Sequence, residues 1–325
     1  MLSGIRSFMA NKKELLSIVV PCHNEQESAP LFYEKTVSVL KKMKVDYQLL
    51  FVDDGSKDNT LDKLKELNKK DKKAEYYSLS RNFGKESAMY CGLCNAKGDY
   101  VVIMDADLQH NPDLLPLMFE KVKHEGYDSC AARRMDRKGE SKIRSFLSNS
   151  FYNVLNKLSD TEIVAGSMDF RLMNRKMLNA VLSMSEYNRF TKGIFAWVGF
   201  KTYWLEVENV ERVAGKSSWN TFSLMKYALE GIFSFSNKPL NIASWLGSII
   251  TLFAFVYLVF VIVKYCLYGD PVQGWPTMIC IMLFLGGVQL LFMGIIGQYL
   301  GKTYLEVKKR PVYLLSESSN DDEEV

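Results

Sequence analysis

The chain has 325 residues, of which 48% are hydrophobic and 24% charged, a balance typical of one large folded domain accompanied by a smaller one. Its formal net charge of +4 is modest, and we expect no nucleic-acid partner. Cys91 and Cys94 form a C-x-x-C, but no second pair and no histidine at ligand spacing accompany it, which argues against a zinc site. We expect both cysteines to lie on a buried helix face in a reducing compartment.

The N-terminal stretch, MLSGIRSFMANKKELLSIVVP, carries two adjacent lysines and only a short apolar run before Pro21. This pattern lacks the cleavable apolar region of a signal peptide. We therefore expect the large domain to stay in the cytoplasm.

Apolar strand patterns and helical patterns then alternate along the chain. The predicted strands are LLSIVVP, YQLLFVDDGS, EYYSLS and DYVVIMDAD, and the predicted helices between them are APLFYEKTVSVLKKMK, NTLDKLKELNKKD and KESAMYCGLCNAKG. This alternation predicts right-handed crossovers and a mostly parallel sheet in an α/β domain. Ligands bind outside the carboxyl ends of the strands in such sheets, which is where Asp53, Asp54, Asp105 and Asp107 fall.

Two carboxylates one residue apart follow the fourth predicted strand. Asp105 and Asp107, with Gln109 just beyond, offer hard oxygen ligands suited to Mg²⁺ or Mn²⁺, and such an ion would hold a diphosphate. The structural alternative is that Asp105 caps the strand and Asp107 solvates a loop.

A cluster of basic residues comes next, in the segment AARRMDRKGESKIRSF. Its members are Arg133, Arg134, Arg137, Lys138, Lys142 and Arg144, opposed by Asp136 and Glu140 alone. Phosphate is a natural partner, because guanidinium groups bind it bidentately. Anionic lipid headgroups are the alternative partner, and the two are compatible.

The C-terminal third has the patterns of a membrane protein. Residues 216–238 place apolar side chains at helical spacing, which predicts an amphipathic helix at the membrane interface or, alternatively, one that closes the globular core. Residues 239–263 and 271–301 contain no charged residue, and each is long enough to span a bilayer. The basic residues at 308–310 indicate that both ends face the cytoplasm. Glycines in the second span suggest a homo-oligomer.

Four motifs occur in order at the predicted strand ends: SIVVPCHNE, FVDDGSKDNT, SRNFGKESAM and MDADLQHNPDLLP. Together they resemble the inverting glycosyltransferases of family 2, whose nucleotide-binding half has a GT-A-like α/β organisation. The resemblance implies that Asp105 and Asp107, with Gln109, carry the metal. It also implies a nucleotide-sugar site formed by Pro21, Glu25, Asp53, Asp54, Lys85 and Asp105. The structural alternative for Asp53 and Asp54 is that they bind turn amides ahead of Gly55.

The basic segment and the FY that follows it are similar to the polyprenyl-phosphate subgroup, which includes bactoprenol glucosyltransferases and dolichyl-phosphate mannose synthases. In that subgroup arginines and a serine hold the lipid phosphate, and the matching positions here are Arg133, Arg144, Ser148 and Arg212. The motif AGSMDFRLMNRKML also matches and places Asp169 in the acceptor region. A buried ion pair between Asp169 and Arg171 is the structural alternative.

The resemblance implies transfer of a sugar, with glucose from UDP-glucose as the first choice, to undecaprenyl or another polyprenyl phosphate. We expect a single in-line displacement with inversion, in which Asp107 and Asp169 act as catalytic residues and Asp169 orients the acceptor or serves as base. UDP-N-acetylglucosamine, UDP-galactose and GDP-mannose are alternative donors. A processive polysaccharide synthase does not fit, because the chain lacks a Q-x-x-R-W segment. A noncatalytic membrane scaffold or translocase partner is the alternative of another class.

These patterns divide the chain into four parts. Residues 1–215 form the expected cytoplasmic catalytic domain, 216–238 the interfacial segment and 239–301 a pair of transmembrane helices. Residues 302–325 form a cytoplasmic tail whose acidic end, from Glu317, we expect to be disordered. The expected location is the cell membrane, with both termini cytoplasmic.

Overall fold

The computed structural model describes residues 14–134, 164, 166–207, 238–268 and 274–320. Within these residues eight strands form one sheet: β1 (Leu15–Cys22), β2 (Asp46–Asp53), β3 (Ala74–Leu79), β4 (Tyr100–Ile103), β5 (Ser129–Arg134), β6 (Ser167–Asn174), β7 (Thr202–Val207) and β8 (Leu315–Ser318). The described α-helices are α1 (Ser28–Met43), α2 (Thr60–Lys70), α3 (Lys85–Asn95), α4 (Leu115–Lys123), α5 (Arg175–Ser183), α6 (Thr191–Trp197), α7 (Lys238–Tyr268) and α8 (Trp275–Val307).

The strand order is β7-β5-β6-β4-β1-β2-β3-β8. The four neighbouring strands β4, β1, β2 and β3 run parallel, as the alternating pattern predicts. Strand β6 runs antiparallel to both β4 and β5, whereas β7 is parallel to β5. The α/β fold class predicted from the sequence is therefore confirmed, with a parallel core and a mixed half beyond β4.

Helices cover both faces of the parallel core, which explains why its strands read as continuous apolar runs. On one face Ile18 of β1 packs in a cluster with side chains of α1, α2 and α4. On the other face its neighbour Val19 packs with side chains of α3, α5 and α6. Helix α3 carries the C-x-x-C, and its two cysteines differ: Cys91 is buried but Cys94 is exposed, so the prediction that both face the core is wrong for Cys94.

Helices α7 and α8 are long and apolar enough to cross a membrane. Their most apolar windows, Leu240–Tyr257 and Phe284–Val307, have mean hydropathies of 1.7 and 1.4, and 6% and 0% of the residues in them are buried. Such surfaces suit a hydrocarbon environment. The prediction of two apolar C-terminal helices is confirmed, although α8 continues six residues past Gly301 to Val307.

The chain returns to the sheet after α8. Strand β8 pairs antiparallel with β3, and the amide of Ser319 donates to the Tyr76 carbonyl at 2.9 Å. Lys65 of α2 forms an ion pair with Glu317 at 2.6 Å. The prediction that the tail is disordered from Glu317 onward is wrong for 317–320, because the unpaired edge of β3 offers its backbone groups to this segment. Residues 321–325 lie outside the described part of the chain.

Two other predicted segments also lie largely outside the described residues. The predicted interfacial segment is described only at Lys238, where α7 begins. The basic segment is described only as far as Arg134 at the end of β5. The predicted boundaries of the four parts therefore stay predictions.

Candidate active site

Several charged side chains meet where the parallel strands end. Asp105 follows β4 by two residues, and Asp169 is the third residue of β6. Because β6 runs antiparallel to β4, with Ile103 paired to Arg171, the beginning of β6 lies beside the end of β4. This pairing brings together two carboxylates that are far apart in the sequence.

Lys85, the first residue of α3, joins the two carboxylates. Its Nζ lies 2.8 Å from Asp105 Oδ1 and 2.7 Å from Asp169 Oδ2. Burial lowers the pKa of Lys85, but the carboxylates of Asp169 and Asp105 outweigh it and hold the pKa above its ordinary value. The Lys85–Asp105–Asp169 group is therefore a charged cluster with an ammonium at its centre.

Asp169 has a second cationic neighbour in Lys192, whose Nζ lies 3.9 Å from its Oδ1. Burial raises the pKa of Asp169, but Lys85 and Lys192 outweigh this effect and hold the pKa below its usual range. Asp169 is consequently ionised at neutral pH. Its carboxylate is a weak base, better suited to orienting charged groups than to accepting a proton.

The buried ion pair of Asp169 with Arg171, the structural alternative, does not occur. Among the described residues the ion-pair partners of Asp169 are Lys85 and Lys192. The guanidinium of Arg171 instead lies over the rings of Phe195 and Trp204, at 4.6 and 5.3 Å from their centroids. These aromatic side chains hold Arg171 away from the carboxylate two residues before it.

The loop after β4 has a constrained shape. Leu108 has a φ of +60°, an uncommon conformation for a side chain of this size, while its side chain is buried in the core. The buried Asp107 accepts a hydrogen bond from the Gln109 amide at 3.0 Å. Burial of Leu108 thus offsets the backbone strain and fixes the direction in which this loop presents its carboxylates.

His110 supports the same loop and was not singled out from the sequence. Its Nδ1 accepts a hydrogen bond from the Asp105 amide at 2.9 Å, and its ring stacks on Phe170 at 5.1 Å. Burial is the main cause of a lowered pKa for His110, so the ring is neutral near pH 7. Since Nδ1 accepts, the proton is on Nε2, which lies 3.8 Å from Asp105 Oδ2. The signal in the sequence was a histidine three residues after the second of the paired carboxylates.

The residues of this loop fit a divalent cation that also binds a substrate. Asp105 Oδ1 is buried, and the donor that lies against it is the Lys85 ammonium at 2.8 Å. Among the described residues no group of three or more His, Cys, Asp or Glu side chains is arranged to hold a metal by itself. Mg²⁺ is commonly bound by one or two carboxylates together with substrate phosphates, so Asp105 and Asp107 suffice as its acidic ligands.

The carboxylates after β2 are engaged with backbone amides. Asp54 accepts hydrogen bonds from Phe83 and Gly84 at 2.7 and 2.9 Å, and burial is the main reason that its pKa is raised. Asp53 accepts from the Ser56 amide at 3.2 Å and from the Ser78 hydroxyl at 3.3 Å. Asp53 thus binds an amide of the turn at Gly55, whereas the amides bound by Asp54 belong to the loop before α3. The contact of both residues with a nucleotide stays a prediction.

The other predicted nucleotide-site residues lie close to this region. Pro21 is in β1 opposite Val52 of β2. Glu25 follows β1, and its amide donates to the Thr60 hydroxyl at 2.8 Å at the start of α2. The loop after β1 therefore lies beside the β2 end, and the roles of Pro21 and Glu25 stay predictions.

The predicted lipid-phosphate site is described at one of its four positions. Arg133 is half-buried in β5, opposite Ser167 of β6. Arg144, Ser148 and Arg212 lie outside the described residues. Arg133 therefore places one end of the predicted site beside the first residue of β6.

Glu86 connects α3 to the short helix that carries Lys192. Its carboxylate accepts hydrogen bonds from both the amide and the hydroxyl of Thr191, the amide at 3.0 Å. Burial is the main reason that the pKa of Glu86 is raised. Sequence reasoning missed Glu86 and Lys192, because they meet the site through contacts between distant parts of the chain.

Comparisons with known proteins agree with this architecture. Residues 17–182 match the family model described as Glycosyl transferase family 2. The bactoprenol glucosyl transferase of Shigella phage SfII is 40% identical over 93% of this chain and 98% of its own length. The prophage bactoprenol glucosyl transferase homolog of Escherichia coli K12 is 39% identical over 92% of this chain and 98% of its own length.

A glycosyltransferase of Bacillus subtilis strain 168 named CsbB is 44% identical over 95% of this chain and 93% of its own length. Among solved structures, glucosyl-3-phosphoglycerate synthase from Mycobacterium tuberculosis with Mn²⁺, UDP-glucose and phosphoglyceric acid is 18% identical. That comparison covers 68% of this chain and 78% of the other, with a TM-score of 0.46. The family match and the relatives that align over nearly the whole chain show that this protein belongs to glycosyl transferase family 2.

Proposed function

We propose that this glycosyltransferase transfers glucose from UDP-glucose to a polyprenyl phosphate, with inversion and with the help of Mg²⁺ or Mn²⁺. The observation that carries the proposal is the charged cluster of Lys85, Asp105 and Asp169 at the strand ends of a family 2 fold. The relatives named bactoprenol glucosyl transferases support both the sugar and the lipid acceptor.

The metal would be held by Asp105 and Asp107, with Gln109, and would supply neutralisation of the charge on the departing diphosphate. Lys85 contributes a fixed positive charge at the same place, because its ammonium lies against Asp105. Positioning and charge stabilisation are the main requirements of this reaction, since the attacking phosphate oxygen is already anionic near neutral pH.

Asp169 orients the acceptor in this proposal. Its low pKa makes it a weak proton acceptor, and its two lysine neighbours favour anionic groups nearby. A phosphate nucleophile needs no strong general base. The geometry therefore favours the orienting role over the base role, the two that the sequence left open.

The two apolar helices support a location in the cell membrane, where a lipid acceptor presents its phosphate. In the proposed topology α7 and α8 both span the bilayer, and the catalytic domain and both termini are cytoplasmic. The basic residues Lys308, Lys309 and Arg310 directly after α8 support this orientation.

The test is transfer of labelled sugar to undecaprenyl phosphate by the purified full-length protein in detergent. We expect lipid-extractable label from UDP-glucose that requires Mg²⁺ or Mn²⁺ and disappears with a chelator or in Asp107→Ala. Asp113→Ala is the matched control, because Asp113 is an exposed carboxylate in the same region. UDP-N-acetylglucosamine, UDP-galactose and GDP-mannose are compared in parallel.

Two results would count against the proposal in different ways. If label persists with chelator, the reaction does not require a metal ion. If another donor is preferred, that donor's sugar and not glucose is the one transferred. A protein that neither labels the lipid nor hydrolyses any donor would favour the noncatalytic scaffold or translocase partner.

A further inference from the structure

A cavity of about 210 Å³ lies beside Asp169, between β6, α6 and β7. Its polar lining comes from Ser167 and Arg171 of β6, Lys192 of α6 and Thr202 of β7. Lys192 lines the cavity and also contacts the charged cluster, because its Nζ is 3.9 Å from Asp169 Oδ1. The cavity is thus adjacent to the charged cluster, and none of the described residues that line it was predicted from the sequence to bind a ligand.

Two of the lining side chains have polar atoms that nothing in the described structure satisfies. Ser167 is 8% exposed, and its hydroxyl is buried without a hydrogen-bond partner. Arg171 is 4% exposed, and its Nε is buried without an acceptor. Buried polar groups are almost always hydrogen-bonded, so unpaired donors that line one cavity indicate a ligand that accepts hydrogen bonds.

The charge around the cavity favours an anion. The described partners of the Arg171 guanidinium are the hydroxyls of Ser129 and Thr202, at 2.8 and 3.2 Å, and two aromatic rings. None of these groups carries a negative charge, and the carboxylate of Asp169, which forms no ion pair with Arg171, acts on the guanidinium only from a distance. Burial accordingly lowers the pKa of Arg171 to about 10. A buried cation that has no carboxylate in direct contact is costly, and an anionic ligand would reduce that cost.

The remaining walls of the cavity are apolar. Phe195, Phe200 and Trp204 line it together with Met168 and Val164. A neutral hexose would leave the buried guanidinium uncompensated, whereas a phosphoryl group matches the charge and the donors of Arg171, Lys192 and Ser167. We propose that this cavity binds a phosphoryl group of a substrate through Arg171, Lys192 and Ser167.

The identity of that substrate rests on the proposed function, which offers two sources of the same chemistry. One is the phosphate of the lipid acceptor, whose apolar chain would suit the aromatic walls. The other is the diphosphate of the donor. The experiment therefore measures direct binding of one probe for each source, farnesyl phosphate and UDP, to the full-length protein in detergent by calorimetry.

Ser167→Ala is the informative variant. If Ser167 were only structural, removing a buried hydroxyl without a partner would leave stability unchanged or raise it, and would leave ligand affinity unchanged. If Ser167 binds a phosphoryl group, we expect unchanged thermal stability with affinity for one probe weakened by about three- to tenfold. Ser183→Ala, an exposed serine of α5, is the matched control.

Lys192→Gln extends the test to charge. We expect it to weaken the same probe by about tenfold or more and to reduce the dependence of that affinity on salt. Lys63→Gln, on α2 and paired with Glu66, is the control. Weakening confined to farnesyl phosphate assigns the cavity to the acceptor, and weakening confined to UDP assigns it to the donor.

The proposal is overturned if wild type binds neither probe, or if Ser167→Ala and Lys192→Gln bind both within twofold of wild type. Because the readout is binding, it is independent of transfer. A wild-type protein that binds a probe through these residues but transfers no sugar would refute the proposed function and leave the phosphoryl site standing.

Discussion

The charged and polar side chains in the two halves of the sheet have different kinds of hydrogen-bond partners. In the parallel half, formed by β4, β1, β2 and β3, Asp54 accepts hydrogen bonds from two backbone amides. Asp53 accepts one from a backbone amide and one from a hydroxyl. In the mixed half, Arg171 of β6 has hydroxyls and rings as partners, and Ser167 has no hydrogen-bond partner in the described structure. The parallel half is thus organised by its own backbone, whereas the mixed half leaves polar groups for a ligand to satisfy.

Burial separates the central strands of the sheet from the edge strand β7. Six of the eight residues in each of the strands β1 and β2 are buried, among them Ile18, Leu49 and Leu50. By contrast, β7 has no buried position along its six residues. A strand that is half exposed contributes less to stability but leaves room for a site at its surface.

The largest expected effect concerns Asp169, where the halves meet. Asp169→Asn removes the carboxylate that holds Lys85 and Lys192, so we expect transfer at saturating substrate to fall by about 100-fold or more. Glu206→Gln, at an exposed position of β7, is the control. Near-normal turnover of Asp169→Asn in the labelled transfer assay would show that the junction plays no part in the reaction.

A second prediction tests the backbone organisation of the parallel half. Gly55 has a φ of +62°, and a Cβ there would lie 2.5 Å from the carbonyl carbon of Arg81. Arg81 belongs to the loop whose Phe83 and Gly84 amides donate hydrogen bonds to Asp54. We expect Gly55→Ala to destabilise the protein by about 3 kcal/mol, since it adds a backbone clash to conformational strain.

Gly126 provides the matched control for that prediction. Its φ of +72° imposes similar strain, but a Cβ there would meet nothing within 4 Å. We therefore expect Gly126→Ala to cost only about 1 kcal/mol. The melting temperature in detergent should fall by about 6–12 °C for Gly55→Ala and about 2–4 °C for Gly126→Ala. Equal decreases would mean that the approach of the two loops contributes nothing.

A third prediction concerns the pH dependence contributed by Glu86. Because its pKa is raised in the folded protein, folding favours the protonated form. Its contribution therefore makes stability decline as pH rises from the ordinary glutamate pKa of about 4.3 through the raised folded value. Glu86→Gln keeps an acceptor for Thr191 and removes this decline.

The measurement is the melting temperature between about pH 4.5 and 7.5. We expect Glu86→Gln to gain stability relative to wild type as pH rises, by a few degrees at the upper end. Glu120→Gln, at an exposed position of α4, should follow wild type throughout. A constant difference between Glu86→Gln and wild type across this range would contradict the prediction.

The smallest expected effect tests whether the apolar helix α8 stabilises the mixed half of the sheet. Glu306 near the end of α8 accepts a hydrogen bond from the Tyr187 amide at 2.9 Å, in the segment that leads to α6. We expect Glu306→Ala to speed hydrogen exchange at Tyr187 by about tenfold, which corresponds to about 1.4 kcal/mol. Glu34→Ala, on exposed α1 surface, should leave that amide unchanged.

The sequence predicted the parallel half well because its signals are local. Continuous apolar runs gave β1, β2 and β4, and the carboxylates at their ends gave the position of the site. The partners within the site were not predictable in the same way. Glu86 reaches Thr191 across 105 positions and Lys85 reaches Asp169 across 84, so these contacts depend on how β6 and α6 pack.

Two differences between expectation and structure have the same origin. The acidic tail was expected to be disordered, but pairing with β3 outweighs that composition at residues 317–318. The ion pair of Asp169 with Arg171, the structural alternative, does not form, because α3 places Lys85 against the carboxylate instead. In both cases a distant element decided the outcome.

Strand β8 also bears on how the protein is made. The edge of β3 that it covers is synthesised before both apolar helices, whereas β8 follows them in the sequence. Translation proceeds from the N-terminus, so this edge stays open until α7 and α8 have left the ribosome. The sheet therefore gains its last strand only after both apolar helices have been synthesised, and a chain that has not reached that stage exposes an edge at which other strands can pair.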